Sequence, residues 1–85
     1  MEIPVVVPDC GTEDEPIWVS AWLVDPGTPV TAGERILELR IPGITFDVPA
    51  PIDGVLKRFT KGPGRPVTVG ETVGWVEPLL KESKE

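Results

Sequence analysis

The chain has no histidine and a single cysteine, Cys10, among its 85 residues. A lone thiol forms no internal disulfide and fits a reducing compartment. With no histidine and no predicted helix end to lower its pKa, Cys10 reads as a small packed residue rather than a nucleophile. The same shortage argues against a metal site, since no set of ligands recurs at a usable spacing. Basic charge is scarce as well. Eight Lys and Arg stand against fourteen Asp and Glu, a net charge of −6, and Lys57, Arg58, Lys61 and Arg65 are the only local positive cluster. Affinity for nucleic acid rests on cations that neutralise phosphates, so no nucleic-acid partner is expected. No apolar run approaches the roughly eighteen residues of a membrane helix. The start, Met1-Glu2-Ile3-Pro4, lacks the basic-then-apolar order of a signal peptide, so the expected location is cytoplasmic and away from membranes.

What the chain has in quantity is proline and glycine, eleven and nine, spaced at intervals rather than in a tract. They read as turn punctuation between short strands. A chain of this length is one domain with a thin core, here placed at residues 1–78 with a frayed tail at 79–85. Glu2 to Val7 reads as a strand whose prolines suggest an edge or a strand end. Ile17 to Val24 is rich in branched and aromatic residues and reads as a second strand, too uniformly apolar to phase. Leu37, Leu39 and Ile41 alternate with polar residues before Pro42-Gly43, and Ile44, Phe46 and Val48 alternate after it. That is a hairpin with a type II turn at its tip, proline pre-setting φ and glycine supplying the positive φ.

The architecture follows from a repeat. Pro26-Gly27-Thr28-Pro29-Val30-Thr31-Ala32-Gly33-Glu34 returns as Pro63-Gly64-Arg65-Pro66-Val67-Thr68-Val69-Gly70-Glu71, seven of nine positions identical at a constant offset of 37. The flanks correspond too: Val19 with Leu56, Trp22 with Phe59, Ile36 with Val73, Leu39 with Val76. Each copy alone is a small sheet with a face it cannot bury, so the two must pack together. Short strands at regular spacing without a helical period predict an all-β sandwich or flattened barrel. A twofold relation between the halves puts the connecting hairpin at one end and the termini near the other.

Three stretches carry a family resemblance: Val7-Pro8-Asp9-Cys10-Gly11, Trp22-Leu23-Val24 with Pro26-Gly27 and Val30, and Phe46-Asp47-Val48-Pro49-Ala50-Pro51 with Gly54. Together they resemble the lipoyl domains of 2-oxo acid dehydrogenase acyltransferases and, more distantly, biotin carboxyl carrier domains. The resemblance runs from about Ile3 to Pro78 and includes the internal duplication. It implies a flattened barrel of two four-stranded antiparallel sheets with a modified lysine at one hairpin tip. In both branches of the family that lysine stands seven residues before the alanine of the Pro-Ala-Pro or Glu-Ala-Pro stretch. Seven residues before Ala50 lies Gly43, flanked by Pro42 and Ile44, and neither hairpin strand contains lysine. An amide to lipoate or biotin needs a primary amine, so no cofactor is expected.

The resemblance therefore implies a lipoyl/biotinyl-like domain without its modifiable lysine. It would be a non-catalytic binding or accessory module, expected to be monomeric and to engage a protein such as a subunit of a 2-oxo acid dehydrogenase or other acyltransferase-type complex. The alternative is a genuine lipoyl or biotinyl carrier modified in an unconventional way; a third reading is a structural piece of a larger enzyme or transport assembly. The absence of an Ala/Pro-rich linker leans toward a free-standing protein. The candidate partner surface is Glu13, Asp14 and Glu15 with Ile41, Pro42, Gly43 and Ile44. Each has a plainer reading: the acidic run as a solvated loop, Pro42-Gly43 as a tight turn. Trp18, Trp22 and Trp75 read first as packing, although tryptophan is also favoured at contact hot spots. Glu34 and Glu71 fall at equivalent turns and offer no acid/base pair.

Overall fold

The structure, a computed structural model, describes residues 1–9, 11 and 15–79. Eight strands follow one another: β1 (Ile3–Val6), β2 (Ile17–Trp22), β3 (Pro29–Val30), β4 (Arg35–Ile41), β5 (Ile44–Pro49), β6 (Gly54–Phe59), β7 (Pro66–Val67) and β8 (Thr72–Pro78). They form two four-stranded antiparallel sheets, in the orders β1-β8-β6-β3 and β5-β4-β2-β7. This is the all-β double sheet that the sequence predicts. Val5, Val19, Ile36, Leu39, Leu56, Val73 and Val76 fill the space between the sheets and are almost wholly buried, and no polar or charged residue among those described joins them.

The repeat is the organising device. Adding 37 carries β2, β3 and β4 onto β6, β7 and β8, while β1 corresponds to β5, so each sheet order maps onto the other. Each sheet therefore takes two strands from either half of the chain. The turn hydrogen bonds repeat in kind: the Gly27 amide donates to the Leu56 carbonyl at 2.7 Å, and the Gly64 amide to that of Val19 at 2.8 Å. On the pseudo-axis the equivalent residues Trp22 and Phe59 meet each other, rings stacked at 4.6 Å and 7°. Such a pair adds about 1 kcal/mol beyond its buried area. Trp22 Nε1 also donates to the Lys61 carbonyl at 2.8 Å, which satisfies the indole N–H.

Register shifts fall at equivalent places, between Val19 and Ala21 in β2 and between Leu56 and Arg58 in β6. One extra residue on a strand reverses its alternation. Trp18 therefore pairs with exposed Arg40 on the outer face, whereas Trp22 pairs with buried Leu37 on the inner one. The expected strand stops at Trp22 rather than Val24, because residues 23 and 24 already bend toward the Pro26-Gly27 turn. Each of the four edge strands carries a proline: Pro4, Pro29, Pro49 and Pro66. A residue without an N–H cannot extend a ladder, so all four edges are blunted against another chain. Gly54 serves close approach, since a Cβ there would collide with the Glu77 carbonyl oxygen and the Val76 side chain.

Of the predicted tail, residues 80–85 lie outside those described, as do Cys10, Glu13 and Asp14.

Candidate functional site

The β4–β5 hairpin closes through the pairs Leu39–Phe46, Arg40–Thr45 and Ile41–Ile44, leaving Pro42 and Gly43 as the two turn residues. Gly43 has φ +88°, the left-handed value a type II turn requires at that position. A side chain built on Gly43 would touch nothing within 4 Å. Pro42, Gly43, Ile44 and Thr45 are all exposed, so the apex stands in solvent as the sequence predicts.

One expected member of the surface is misplaced. Ile41 is 3% exposed and belongs to the core, whereas its cross-strand neighbour Ile44 is 59% exposed. The two side chains share a face, but β4 is flanked by β5 and β2 while β5 is an edge strand. Ile41 is covered from both sides and Ile44 from one. The apolar contact at the tip is thus Ile44 alone. Glu15 is exposed, ahead of β2, and its predicted companions Glu13 and Asp14 fall outside the described residues.

The structure also brings together residues that the sequence leaves apart. Beside the tip a hollow of about 460 Å³ is lined by Trp18, Arg40, Ile41, the two turn residues, Ile44 and Thr45. Cross-strand pairing sets this row: Trp18 opposite Arg40, and Arg40 opposite Thr45. Pro66 pairs with Trp18 from its other side. No sequence pattern could show the row, because the alternation of residues 17–24 is hidden by their uniform apolarity.

The basic cluster expected at residues 57–65 is largely neutralised. Lys57 pairs with Glu77 at 3.2 Å, Arg58 with Glu2 at 3.1 Å and Lys61 with Glu71 at 2.8 Å. Arg58 also lies over the Trp75 ring at 4.2 Å. Within the hairpin, Arg35 pairs with Asp47 at 3.2 Å. Arg40 has no carboxylate within ion-pair distance among the described residues. The hairpin contains no lysine, and Lys57 and Lys61 are both held in ion pairs.

Glu34 and Glu71 serve the turns in which they stand. Each carboxylate accepts the backbone N–H three residues earlier, from Thr31 and Thr68 respectively, at 3.0 Å. Lys61, and after it the Thr68 N–H, hold the Glu71 carboxyl below the usual carboxylate range. Among the described residues no group of three or more metal-ligating side chains comes together, and no helix is long and apolar enough to cross a membrane. The tip offers a guanidinium, a hydroxyl, an indole and an aliphatic side chain.

Fold and hairpin together define a class. Residues 3–75 match the biotin/lipoyl family described as biotin-requiring enzyme, and the chain belongs to that family. Among curated proteins it is 32% identical over 74 residues to the dihydrolipoyllysine-residue succinyltransferase component of the 2-oxoglutarate dehydrogenase complex of Rickettsia felis, with 87% of this chain and 18% of that protein covered. It is 37% identical over 76 residues to the dihydrolipoyllysine-residue acetyltransferase component of the acetoin cleaving system of Cupriavidus necator, covering 89% of this chain and 20% of that one. The solution structure of the lipoyl domain of the 2-oxoglutarate dehydrogenase complex from Azotobacter vinelandii superimposes with a TM-score of 0.68 at 26% identity, covering 92% of this chain and 98% of that domain. The chain thus spans about a fifth of the curated relatives it matches and nearly all of a lipoyl domain.

Proposed function

We propose that this chain is a lipoyl/biotinyl-type domain that carries no prosthetic group. It acts, as a monomer, as a non-catalytic binding or accessory module for a protein of a 2-oxo acid dehydrogenase or other acyltransferase-type assembly. The observation that carries the reading is the apex itself. Gly43 stands where the family resemblance puts the attachment lysine, exposed and with a hydrogen for a side chain. An amide to lipoate or biotin requires a primary amine presented at a turn, and neither Arg40 nor Thr45 supplies one. The two described lysines, Lys57 and Lys61, are engaged in ion pairs with Glu77 and Glu71. The rest of the scaffold is kept, which supports recognition rather than chemistry as its use.

The test is the intact mass of the protein co-expressed with lipoate-attaching and biotin-attaching enzymes. The unmodified mass is expected. A lipoyl or biotinyl adduct on any residue overturns the reading and makes the chain a carrier of unconventional design.

A further inference from the structure

We propose that the hollow beside the hairpin tip docks an acidic segment of a protein partner. A carboxylate of that segment sits on Arg40, and an adjacent apolar side chain lies against Trp18. Four observations converge. The hollow, about 460 Å³, takes one or two side chains rather than a helix. Arg40 is exposed and has no carboxylate in ion-pair distance among the described residues, whereas Arg35, Lys57, Arg58 and Lys61 each have one. Of the six described Lys and Arg, only Arg40 and Arg65 have no carboxylate within ion-pair distance among the described residues, and of these two Arg40 alone lines the hollow. The indole of Trp18, half-buried on the outer face opposite Arg40, gives an apolar wall of the kind that anchors interfaces. The equivalent positions at the other end of the barrel, Val55 and Glu77, carry neither the ring nor the positive charge, so the feature is not a by-product of the repeat.

A guanidinium gives a carboxylate two parallel hydrogen bonds, and its charge steers an acidic partner toward this end of the barrel. Thr45, next in the row, offers a hydroxyl to the same group. The inference deepens the reading of the chain as a protein-binding module and rests on it.

The probe is a blocked pentapeptide of alternating glutamate and leucine, titrated into the full chain of verified mass and followed by amide and indole NMR shifts. Its control is the same peptide with lysine for glutamate. Shifts concentrated at Trp18 Nε1, Arg40, Ile44 and Thr45 are expected, weakening as salt is raised, with the lysine peptide silent. Arg40→Gln is expected to weaken binding at least fivefold. Arg35→Gln removes the same charge from the same hairpin and is expected to change it less than twofold. Equal effects of the two substitutions, equal binding of the two peptides, shifts centred elsewhere, or none at millimolar peptide would each overturn the docking site. A covalent adduct in the mass measurement overturns the unmodified-module reading and leaves the titration standing.

Discussion

Gly43 combines two properties that pull apart under substitution. There is open space around it, yet its backbone has φ +88°, a conformation L side chains rarely adopt. Gly43→Lys is therefore expected to fold, with a loss of about 1–2 kcal/mol from left-handed strain, measurable by denaturant titration. If the surrounding recognition surface is intact, the restored amine becomes a substrate for lipoate or biotin attachment. If the variant folds but stays unmodified, the loss at this tip extends beyond one side chain. Glu71 offers a second test at this scale. Its pKa is lowered in the folded protein by Lys61, so the stability it contributes is present above the unfolded carboxylate pKa and is lost as pH falls through the folded value. Glu71→Gln should lower the denaturation midpoint at neutral pH, and the gap to the parent should close in acid. Glu34→Gln, which keeps an amide oxygen to accept the Thr31 N–H and has no lysine partner to lose, should cost less.

At the scale of the element, the bulge in β2 decides what was readable in advance. The apolar alternation of β4 and β5 placed the hairpin, its apex and most inward residues from sequence alone. Residues 17–24 resist the same treatment because they are too uniformly apolar to phase, and the extra residue between Val19 and Ala21 reverses the phase midway as well. Trp18 and Trp22 thus point to opposite faces although they are four residues apart, and the hollow built on Trp18 stayed hidden. Ile41 departs from the expected surface for a related reason. Alternation gives the face of a strand, not whether a neighbouring strand covers it. Trp22→Phe keeps a ring to stack on Phe59 but drops the bond to the Lys61 carbonyl, and a loss of about 1 kcal/mol is expected in thermal or chemical denaturation. Gly54→Ala is expected to be worse, roughly 1–3 kcal/mol, because the new methyl meets fixed backbone rather than a side chain that can move.

For the molecule as a whole, the repeat was the most informative feature of the sequence. Seven identities in nine positions forecast a twofold barrel, and the equivalences Val19 with Leu56, Trp22 with Phe59 and Leu39 with Val76 all hold in three dimensions. The pattern could not show that the paired aromatics touch each other, since a repeat states likeness and not proximity. It also could not forecast the interlacing of the halves, with every sheet drawing two strands from each. That arrangement makes Pro42-Gly43 a hinge as well as a tip. If those two residues are deleted, β4 can no longer fold back on β5, and the first half of one molecule must close upon the second half of another. An exchanged dimer with all native pairings preserved except the turn is expected, doubling the mass seen by sedimentation. Two residues at one apex would thus decide whether the barrel closes within a single chain or as a clasped pair.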